Sequence, residues 1–584
     1  MPGFDKSLYG AVPEPEGTRR KATVPDTLDL AERINLSVNA LTGNYDPNAQ
    51  VFDFGMNPPK VVDIGYVLPK HLRTLPMLRG VSGSLQGLDT EGLIMQSQLE
   101  ALRNTSAEAN SHFFSPGYGP LILALAKWDE RQKNPLAKSW ISYLAAMMRE
   151  NSIVIKPGNG GEERAFYPPS SLRDKEGKWF DADKRFTSPM PYHPPEEPVA
   201  DQQGVEGTVK WEQALVLRAL LRDFQVNGER KSLKMADKYA NFILKSTMWE
   251  EGGPTNGAFA GHWHGNLWTL QALLEYSLVK KDAKIQQIVL EAYQHARDHG
   301  VLEIGWVPSW LNPEKFKRSP VLGQLNETCG VADTLILAVM LSEAGLGDYW
   351  DDVDGMVRNY VTQMQFCDLD EMRSRSGGNP GNDALLQKYV GGFGMAEPTA
   401  IKPQVLGCCS TNGALSLVEA WRGIVTNAGG VTTVNLLLNR ASPWLDVNSY
   451  LPNEGKVELR ILKQTNVRVR LPAWLPASTV TSNVGGRAVK PVSEGKYLVF
   501  SNLRAGDDVT LTFQVPEKSE KRTFAGQEYT LGFRGGNLVD IQPRNSDPAL
   551  LPLFTTNTAI TPVPMKEVER FIPKEEVSFF KVRH

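Results

Sequence analysis

Apolar residues recur at three- and four-residue spacing from about residue 58 to residue 429. Within 349–364, for example, Trp350, Val353, Met356 and Tyr360 mark one face of a helix. Before this region, Asp26 can cap one helix that follows a polar, proline-rich start. The succession of helices predicts an α-toroid or an α-solenoid, and no strict sequence repeat decides between them. The clearest helical segments are 121–131, 139–149, 212–224, 233–246, 267–279, 283–299, 331–344, 349–364 and 414–424.

The pattern changes to period-two alternation after residue 430. Runs such as VTTVNLLLN, GKVELRILK, NVRVRLPAW and DDVTLTFQVP are separated by Pro, Gly, Asn and Asp, which indicates an all-β module. We interpret it as a β-sandwich. The tail that carries KEVERFIPKEEVSFFKVRH wraps back either as a helix or as an extended arm. We therefore expect an N-terminal extension (1–57), a helical domain (58–429), a β-sandwich (430–555) and a C-terminal tail (556–584).

Composition excludes several classes of partner. The 584 residues carry a formal net charge of −3, and no basic tract is present, so nucleic acid is not expected as a partner. No window reaches the ~20 apolar residues of a membrane helix. The start MPGFDKSLYGAVPEPEG lacks a secretory pattern, and four cysteines are too few for a disulfide framework. We expect a cytoplasmic protein, unless a signal peptide has been removed. Oligomeric state is not indicated.

The cysteines suggest the chemistry. Cys408 and Cys409 are adjacent in GCCSTNGALSLVEAW, where Ser410 or Thr411 would cap a helix whose dipole lowers a thiol pKa. In NETCGVADTLILAVM, Cys329 also precedes a helix and follows Glu327 by two positions. The two side chains therefore fall on one side of an extended segment. One carboxylate and three thiolates make a donor set that suits zinc. The four ligands would be Glu327, Cys329, Cys408 and Cys409.

An alternative is that the cysteines are inert core residues, which is common for free thiols. The fourth cysteine, Cys367 in QMQFCDLD, has no local partner in the sequence, and we assign it to the core. Composition alone favours the core interpretation for the other three as well.

The ETC string, followed about 80 residues later by CC and then Asn412, resembles the β-L-arabinofuranosidases of glycoside hydrolase family 127. The resemblance extends to the helical region and to VRVRLPAW, GDDVTLTF and GNLVDIQP in the β region. It implies an (α/α)6 barrel followed by a β-sandwich, with the pocket at the mouth of the helical toroid. It also implies Zn²⁺ held by the Glu and Cys of ETC and by both cysteines of the pair. The implied nucleophile is Cys408, in a retaining hydrolase of a β-L-arabinofuranoside or a related sugar.

The acid/base departs from the family pattern. In that family it is a glutamate 16 residues before the glutamate of ETC, and here Leu311 stands at that position. Glu314 and Glu303 lie nearby in the sequence and could take the role through a shifted loop. We prefer Glu314 and place Glu303 second.

Histidines in the loops between helices are candidates for contact with a carbohydrate substrate. GHWHGNLW places His262 and His264 two residues apart before a helix, where they could bind sugar hydroxyls or simply form loop hydrogen bonds. His112 and His193 are weaker candidates in similar loops. Aromatic residues in the same loops could stack on sugar rings, although most aromatics are core; they are Tyr118, Trp179, Tyr192, Trp263, Trp268 and Trp306.

Two other functions stay open at this point. Helical toroids with β-domains also host polysaccharide lyases and unsaturated-uronyl hydrolases, which would use His264 or a tyrosine and leave the cysteines structural. The third possibility is a non-catalytic carbohydrate-binding protein with a structural zinc. The leucine at position 311 is the feature that favours it.

Overall fold

We describe the protein from a computed structural model. The structure describes residues 2–3, 5–46, 51–52, 67–103, 118–156, 161–167, 208–245, 248–250, 253–316, 318–367, 369–370, 373, 383–402, 405–547, 551–552 and 562–577. Two candidate substrate contacts from the sequence, His112 and His193, lie outside these residues, as do Trp179 and Tyr192.

The helices of the described chain alternate between an inner and an outer layer. In chain order they are α1 (Leu30–Gly43), α2 (Val67–Ser82), α3 (Leu88–Arg103), α4 (Tyr118–Gln132), α5 (Pro135–Glu150), α6 (Thr208–Asn227), α7 (Arg230–Leu244), α8 (Trp263–Lys280), α9 (Ala283–His299), α10 (Thr328–Glu343), α11 (Trp350–Met356), α12 (Asp383–Tyr389) and α13 (Gly407–Ile424).

Six inner helices form a closed ring, because α2, α4, α6, α8, α10 and α13 each pack against the next and α13 returns to α2. The outer layer consists of α1, α3, α5, α7, α9 and α11, each packed on the ring. The sequence pattern left a toroid and a solenoid open, and the closed ring shows that the helical region is an (α/α)6 barrel. None of the described helices combines the length and apolarity needed to cross a membrane.

The burial of the helices follows their layer. The ring helix α10 is buried along almost its whole length, from Thr328 to Leu341, as expected for a helix with neighbours on all sides. The outer helix α9 is amphipathic and begins at the cap Asp282, whose side chain accepts from the backbone N–H of Lys284. In α1 the cap is Asp29 rather than the expected Asp26, because Asp29 Oδ1 accepts from the N–H of Ala31 at 2.9 Å.

Strands occupy the loops of the barrel and most of the chain after α13. They are β1 (Gly17–Pro25), β2 (Tyr45–Asp46), β3 (Val51–Phe52), β4 (Ile153–Ile155), β5 (Arg164–Phe166), β6 (Gly261–His262), β7 (Trp310–Leu311), β8 (Asn326–Glu327), β9 (Met395–Glu397), β10 (Ala400–Ile401), β11 (Val425–Ala428), β12 (Val431–Val434), β13 (Arg440–Ala441), β14 (Leu445–Ser449), β15 (Lys456–Ile461), β16 (Thr465–Arg470), β17 (Thr481–Val484), β18 (Arg487–Ala488), β19 (Val492–Glu494), β20 (Tyr497–Leu503), β21 (Asp508–Thr512), β22 (Glu517–Phe524), β23 (Gln527–Arg534), β24 (Asn537–Gln542), β25 (Leu551–Pro552) and β26 (Met565–Pro573).

The C-terminal β-sandwich is built from two sheets. One has the strand order β11-β12-β16-β20-β19 and the other β13-β14-β15-β21-β17-β18. Inward-facing residues alternate with exposed ones, as in β15, where Val457, Leu459 and Ile461 are buried. A third sheet, β22-β23-β24, follows. It meets the barrel where the Phe524 ring lies 5.1 Å from that of Trp306 and Arg522 pairs with Glu303.

The C-terminal tail takes the extended form of the two that the sequence allowed. Strand β26 pairs with β1 in antiparallel register from Gly17 opposite Pro573 to Pro25 opposite Met565. The two ends of the described chain thus form one two-stranded ribbon. We call it the terminal ribbon.

Candidate active site

The first half of the site comes from the start of α10. Glu327 ends the short strand β8, and Cys329 lies in the first turn of the helix. Strand β8 pairs with β9, and Thr328 Oγ1 donates to the carbonyl of Gly394 at 2.6 Å. These contacts fix the direction in which the chain enters α10, so Glu327 and Cys329 project to the same place.

The second half comes from the first turn of α13. The helix begins at Gly407, so Cys408 and Cys409 are its second and third residues. The expected cap at Ser410 or Thr411 is wrong, because Leu406 occupies the cap position without a side-chain bond. The Ser410 hydroxyl instead accepts from the backbone N–H of Phe393 at 3.1 Å.

The structure brings together the four side chains that the sequence proposed as metal ligands. One ligand atom from each of Glu327, Cys329, Cys408 and Cys409 lies within 4.8 Å of the others, and Sγ of Cys329 is 3.6 Å from Sγ of Cys409. We call these residues the cysteine cluster. Cys329 and Cys409 are fully buried, whereas Cys408 is partly exposed. This group could hold a metal ion, and three sulfurs with one carboxylate are the donors of a zinc site rather than a magnesium or calcium site.

Polar neighbours orient the carboxylate of the cluster. Oε2 of Glu327 lies 2.9 Å from Nε2 of His262, and the hydroxyl of Ser309 donates to the same oxygen at 3.4 Å. Since a carboxylate only accepts, Nε2 of His262 carries the proton. Burial opposes ionisation of Glu327, but His262 and His264 more than compensate, so its pKa lies below the usual value. The ionised carboxylate of Glu327, which is the form that binds a metal, is therefore favoured.

The cysteines differ in their electrostatic surroundings. Hydrogen bonds from the Cys329 and Cys409 thiols, with the positive charge of Lys70 nearby, hold the pKa of Cys408 well below its usual value. Burial raises the pKa of Cys329 well above its usual value. Cys408 is thus the thiol of the cluster most readily present as thiolate, which is the nucleophilic form.

The two histidines of GHWHGNLW hold different positions. His262 lies at the edge of the cluster, where its ring stacks on that of Trp310 at 5.4 Å. His264 is buried, and its Nδ1 bonds to Oδ2 of Asp333. Asp333 also accepts from Gln271, at 3.1 Å to Oδ1. The carboxylate therefore holds the imidazole of His264 in one orientation.

The candidate acid/base residues lie on the loops after α9. Leu311 forms β7 with Trp310 and pairs with Gly261, next to His262. Glu314 follows on the same loop with an exposed side chain, and among the described residues it forms no ion pair. Glu303 is paired with Arg522 at 3.0 Å, and burial raises its pKa.

Several residues of the site could not be identified from the sequence. Lys70 of α2 is 2 % exposed, and its charge acts on both Cys408 and Cys329. Ser309 and Asp333 reach the site only through the pairing of loops and helices distant along the chain. Cys367, expected in the core, is partly exposed and contacts Arg33. The sequence offered no signal for these contacts.

Comparison with known proteins gives a likeness of structure rather than of sequence. No protein-family model matches the chain, and no curated protein matches it. A family 127 β-L-arabinofuranosidase from Geobacillus stearothermophilus T6 matches with a TM-score of 0.50 and 13 % identity, over 88 % of this chain and 80 % of that one.

Two further solved structures match similarly. A family 127 β-arabinofuranosidase gives a TM-score of 0.53 at 13 % identity, over 91 % of this chain and 85 % of that one. A protein described as a glycoside hydrolase gives 0.54 at 12 % identity, over 89 % and 83 %. The resemblance noted in the sequence is thus confirmed in the fold: this chain has the (α/α)6 barrel and C-terminal β-sandwich of these glycoside hydrolases.

Proposed function

We propose that this protein is a zinc-dependent retaining glycoside hydrolase that acts on a β-L-arabinofuranoside or a related sugar. The observation that carries the proposal is the cysteine cluster, in which three thiols and a carboxylate from two helix starts converge within 4.8 Å. The fold shared with family 127 enzymes supports the same reaction class. Carbohydrate is the partner that this function requires.

Cys408 has the properties of the nucleophile. It is the partly exposed thiol of the cluster and the one whose pKa is lowered. In the first step its sulfur bonds to the anomeric carbon while the leaving oxygen departs with a proton from the acid. In the second step water attacks the same carbon, the acid/base accepts a proton from water, and the C–S bond breaks to regenerate the thiolate. Two displacements retain the configuration of the sugar.

Zn²⁺ bound by Glu327, Cys329, Cys408 and Cys409 would keep the thiols deprotonated and accept charge on sulfur as the C–S bond breaks. The chain itself prepares the ligands. His262 and Ser309 occupy Oε2 of Glu327, which fixes the carboxylate. Buried Lys70 provides a positive charge that favours thiolate at Cys408.

Glu314 remains our first candidate for the acid/base and Glu303 the second. The support for Glu314 is its position three residues after Leu311 on the same loop, with an exposed carboxyl group. Glu303 is engaged by Arg522, and moving it to a substrate would break that pair. We propose sugar contact for His262 and His264, which flank the cluster, and retain His112 and His193 as weaker candidates.

The leucine at position 311 favours a second candidate function. A family 127 hydrolase would carry a glutamate there, and Leu311 cannot transfer a proton. A protein that binds carbohydrate without cleaving it, with zinc tying the starts of α10 and α13, fits this residue. Activity measurements separate the two functions.

The decisive experiment compares wild-type protein with Cys408→Ser and with Cys367→Ser as a matched control outside the cluster. Metal content is measured on each, and aryl glycosides of several furanoses and pyranoses are screened, including 4-nitrophenyl β-L-arabinofuranoside. We expect about one zinc per wild-type chain and hydrolysis that Cys408→Ser abolishes and Cys367→Ser retains. Full activity in Cys408→Ser would exclude the thiolate mechanism, and zinc without hydrolysis of any glycoside would favour the binding protein. Ultraviolet absorbance of an unsaturated product would instead reveal a lyase.

A further inference from the structure

Asn412 is a buried amide one helical turn beyond Cys408. Its side chain lies on the ring helix α13 and is 1 % exposed. Neither Nδ2 nor Oδ1 of this amide has a hydrogen-bond partner among the described residues. Buried amides nearly always have a partner, because an unpaired donor or acceptor destabilises the fold. We therefore looked for a change in the surroundings of Asn412 that would supply one.

The position of Asn412 on α13 directs its amide toward the cysteine cluster. Residues four apart on a helix share a face, so Asn412 follows Cys408 on the same face. Helical side chains lean toward the N-terminus and cover the preceding turn. The turn that precedes Asn412 contains Cys408 and Cys409. The amide therefore lies over the two sulfurs that α13 contributes.

This face of α13 points to the axis of the barrel. Glu419 lies on it, seven residues after Asn412. Burial lowers the pKa of Lys127 on α4, and the charge of Glu419 is one of those that oppose the shift. Since α4 and α13 are not neighbours in the ring, Glu419 acts on Lys127 across the interior. Asn412 thus faces the interior between Cys408 and Glu419.

The other polar side chains in the first turns of α13 are engaged elsewhere. The hydroxyl of Thr411 donates to the carbonyl of Gly407 at 3.0 Å. The hydroxyl of Ser410 accepts from the N–H of Phe393 at 3.1 Å, on the side of the helix away from Cys408. Within these turns, the amide of Asn412 is therefore the side-chain donor that is left for the sulfurs.

The cysteines can bond to one another only while they carry protons. Sγ of Cys329 donates to Sγ of Cys409 at 3.6 Å, and both thiols donate to Cys408. Thiolates are the form that binds a metal, and they have no S–H to donate. An N–H donor beside them then replaces a lost hydrogen bond and stabilises the negative charge on sulfur.

We propose that Asn412 is a positioning residue, which donates from Nδ2 to a thiolate of Cys408 or Cys409 when the cluster holds its metal ion. This role rests on the proposed function, because it requires the cluster to bind a metal. It explains why a donor that faces the cluster has no partner beside protonated thiols. The expected consequence is tighter binding of the metal ion and less charge on the sulfurs that hold it.

The test uses full-length variants with and without metal. Asn412→Leu removes both polar atoms at similar size, and Asn412→Ala removes them with a residue that favours a helix. Asn435→Leu is the matched control near the other end of α13, where the Asn435 amide donates to the carbonyl of Gly423 at 2.9 Å. Each protein is titrated with Zn²⁺ against a chromogenic chelator and with Co²⁺, whose bond to a thiolate gives a charge-transfer band. The Tm is measured in excess chelator.

We expect Asn412→Leu to increase the Kd for Zn²⁺ about tenfold or more. Asn412→Ala should increase it less, because a water molecule can enter the space and donate. The cobalt band should move to longer wavelength in both, since a thiolate without a donor holds its electrons less tightly. In chelator, the Tm of Asn412→Leu should equal or exceed that of wild type, because two unpaired buried atoms are removed. Asn435→Leu should lower the Tm and bind zinc as wild type does.

A wild-type Kd with an unshifted cobalt band in both Asn412 variants would overturn the proposal. It is equally overturned if Asn412→Leu lowers the Tm in chelator, as Asn435→Leu does, and binds zinc normally, which is the behaviour of a purely structural residue. Wild-type protein that binds neither Zn²⁺ nor Co²⁺ would refute the proposed function and the role of Asn412 together. None of these readouts depends on glycosidase activity.

Discussion

Nε2 of His262 lies 2.9 Å from Oε2 of Glu327, so the carboxylate of the cysteine cluster is anchored by a residue of another loop. A hydrogen bond from a neighbouring side chain to a metal ligand orients that ligand and increases the affinity of the site for the metal. We predict that His262→Ala lowers zinc affinity about 10–100-fold, measured by competition with a chromogenic chelator. His299→Gln, an exposed histidine at the end of α9, is the control. Unchanged affinity in His262→Ala would show that the contact does not support the metal.

The position of this histidine illustrates the limit of sequence reasoning. Cys408 and Cys409 were visible because adjacent cysteines before a helix are uncommon. The partner of His262 was not visible, because the contact depends on the pairing of β6 with β7, two strands of two residues each. Such short pairings leave no periodicity in the sequence.

Other differences have similar physical causes. Ser410 or Thr411 was expected to cap α13, but the hydroxyl of Ser410 accepts from the N–H of Phe393, 17 residues earlier and outside the helix. The continuous helix expected over 349–364 becomes a π-helix at Val357–Val361 after α11. The barrel was predictable since amphipathic helices carry a strong periodic signal, whereas its closure depends on contacts far apart in the chain.

Removal of the metal tests whether the cluster contributes to stability. The ligands come from two ring helices, α10 and α13, so a bound ion ties the two together. We expect prolonged chelation to lower the Tm of wild-type protein and re-addition of Zn²⁺ to restore it. Cys408→Ser with Cys409→Ser should show no response to the chelator. An identical Tm with and without zinc would contradict a structural contribution.

A buried carboxylate forms ion pairs with two arginines inside the barrel. Glu275 of α8 pairs with Arg218 and, at 3.2 Å, with Arg222, and the side chains of Glu275 and Arg218 are fully buried. Glu275→Gln leaves both guanidinium charges without their counter-charge, and we predict a loss of about 3–5 kcal/mol in the free energy of unfolding. Urea denaturation gives this value. The exposed Glu494→Gln is the control and should change stability by less than about 0.5 kcal/mol.

A salt bridge between α11 and the β-sandwich should make stability depend on pH. Burial raises the pKa of Asp351, but the hydrogen bond and charge of Arg470, 2.7 Å away, help to lower it by more, so the folded pKa is below the unfolded one. The pair therefore stabilises the fold above about pH 4 and is lost as pH falls through the folded pKa. We predict that Asp351→Asn costs about 1–3 kcal/mol at pH 7.

The same variant gives the pH test. The difference in Tm between wild type and Asp351→Asn should be constant above about pH 4 and shrink at lower pH. Asp508→Asn, an exposed carboxylate of β21, should show no such trend. A difference that grows on acidification would contradict the assignment.

Close packing at the start of α13 limits change beside the cluster. A Cβ atom on Gly413 would lie 2.6 Å from the ring of Phe393, too close for any real contact. We predict that Gly413→Ala destabilises the protein by about 1–3 kcal/mol and reduces its zinc content, because the helix that carries Cys408 and Cys409 must shift. Gly3→Ala, where an added Cβ meets no atom within 4 Å, is the control. Wild-type stability and zinc content in Gly413→Ala would show that the helix start tolerates displacement.

The terminal ribbon has a consequence for biosynthesis. Strand β1 is made long before its partner β26, since more than five hundred residues separate Gly17 from Pro573. On the ribosome the early strand must wait, with an unpaired edge, until β26 has been translated. We expect chains that terminate before residue 565 to leave β1 unpaired and to aggregate. Because Gly17 lies opposite Pro573, a short peptide could join β26 to β1 directly, and the chain could be opened in an exposed turn elsewhere.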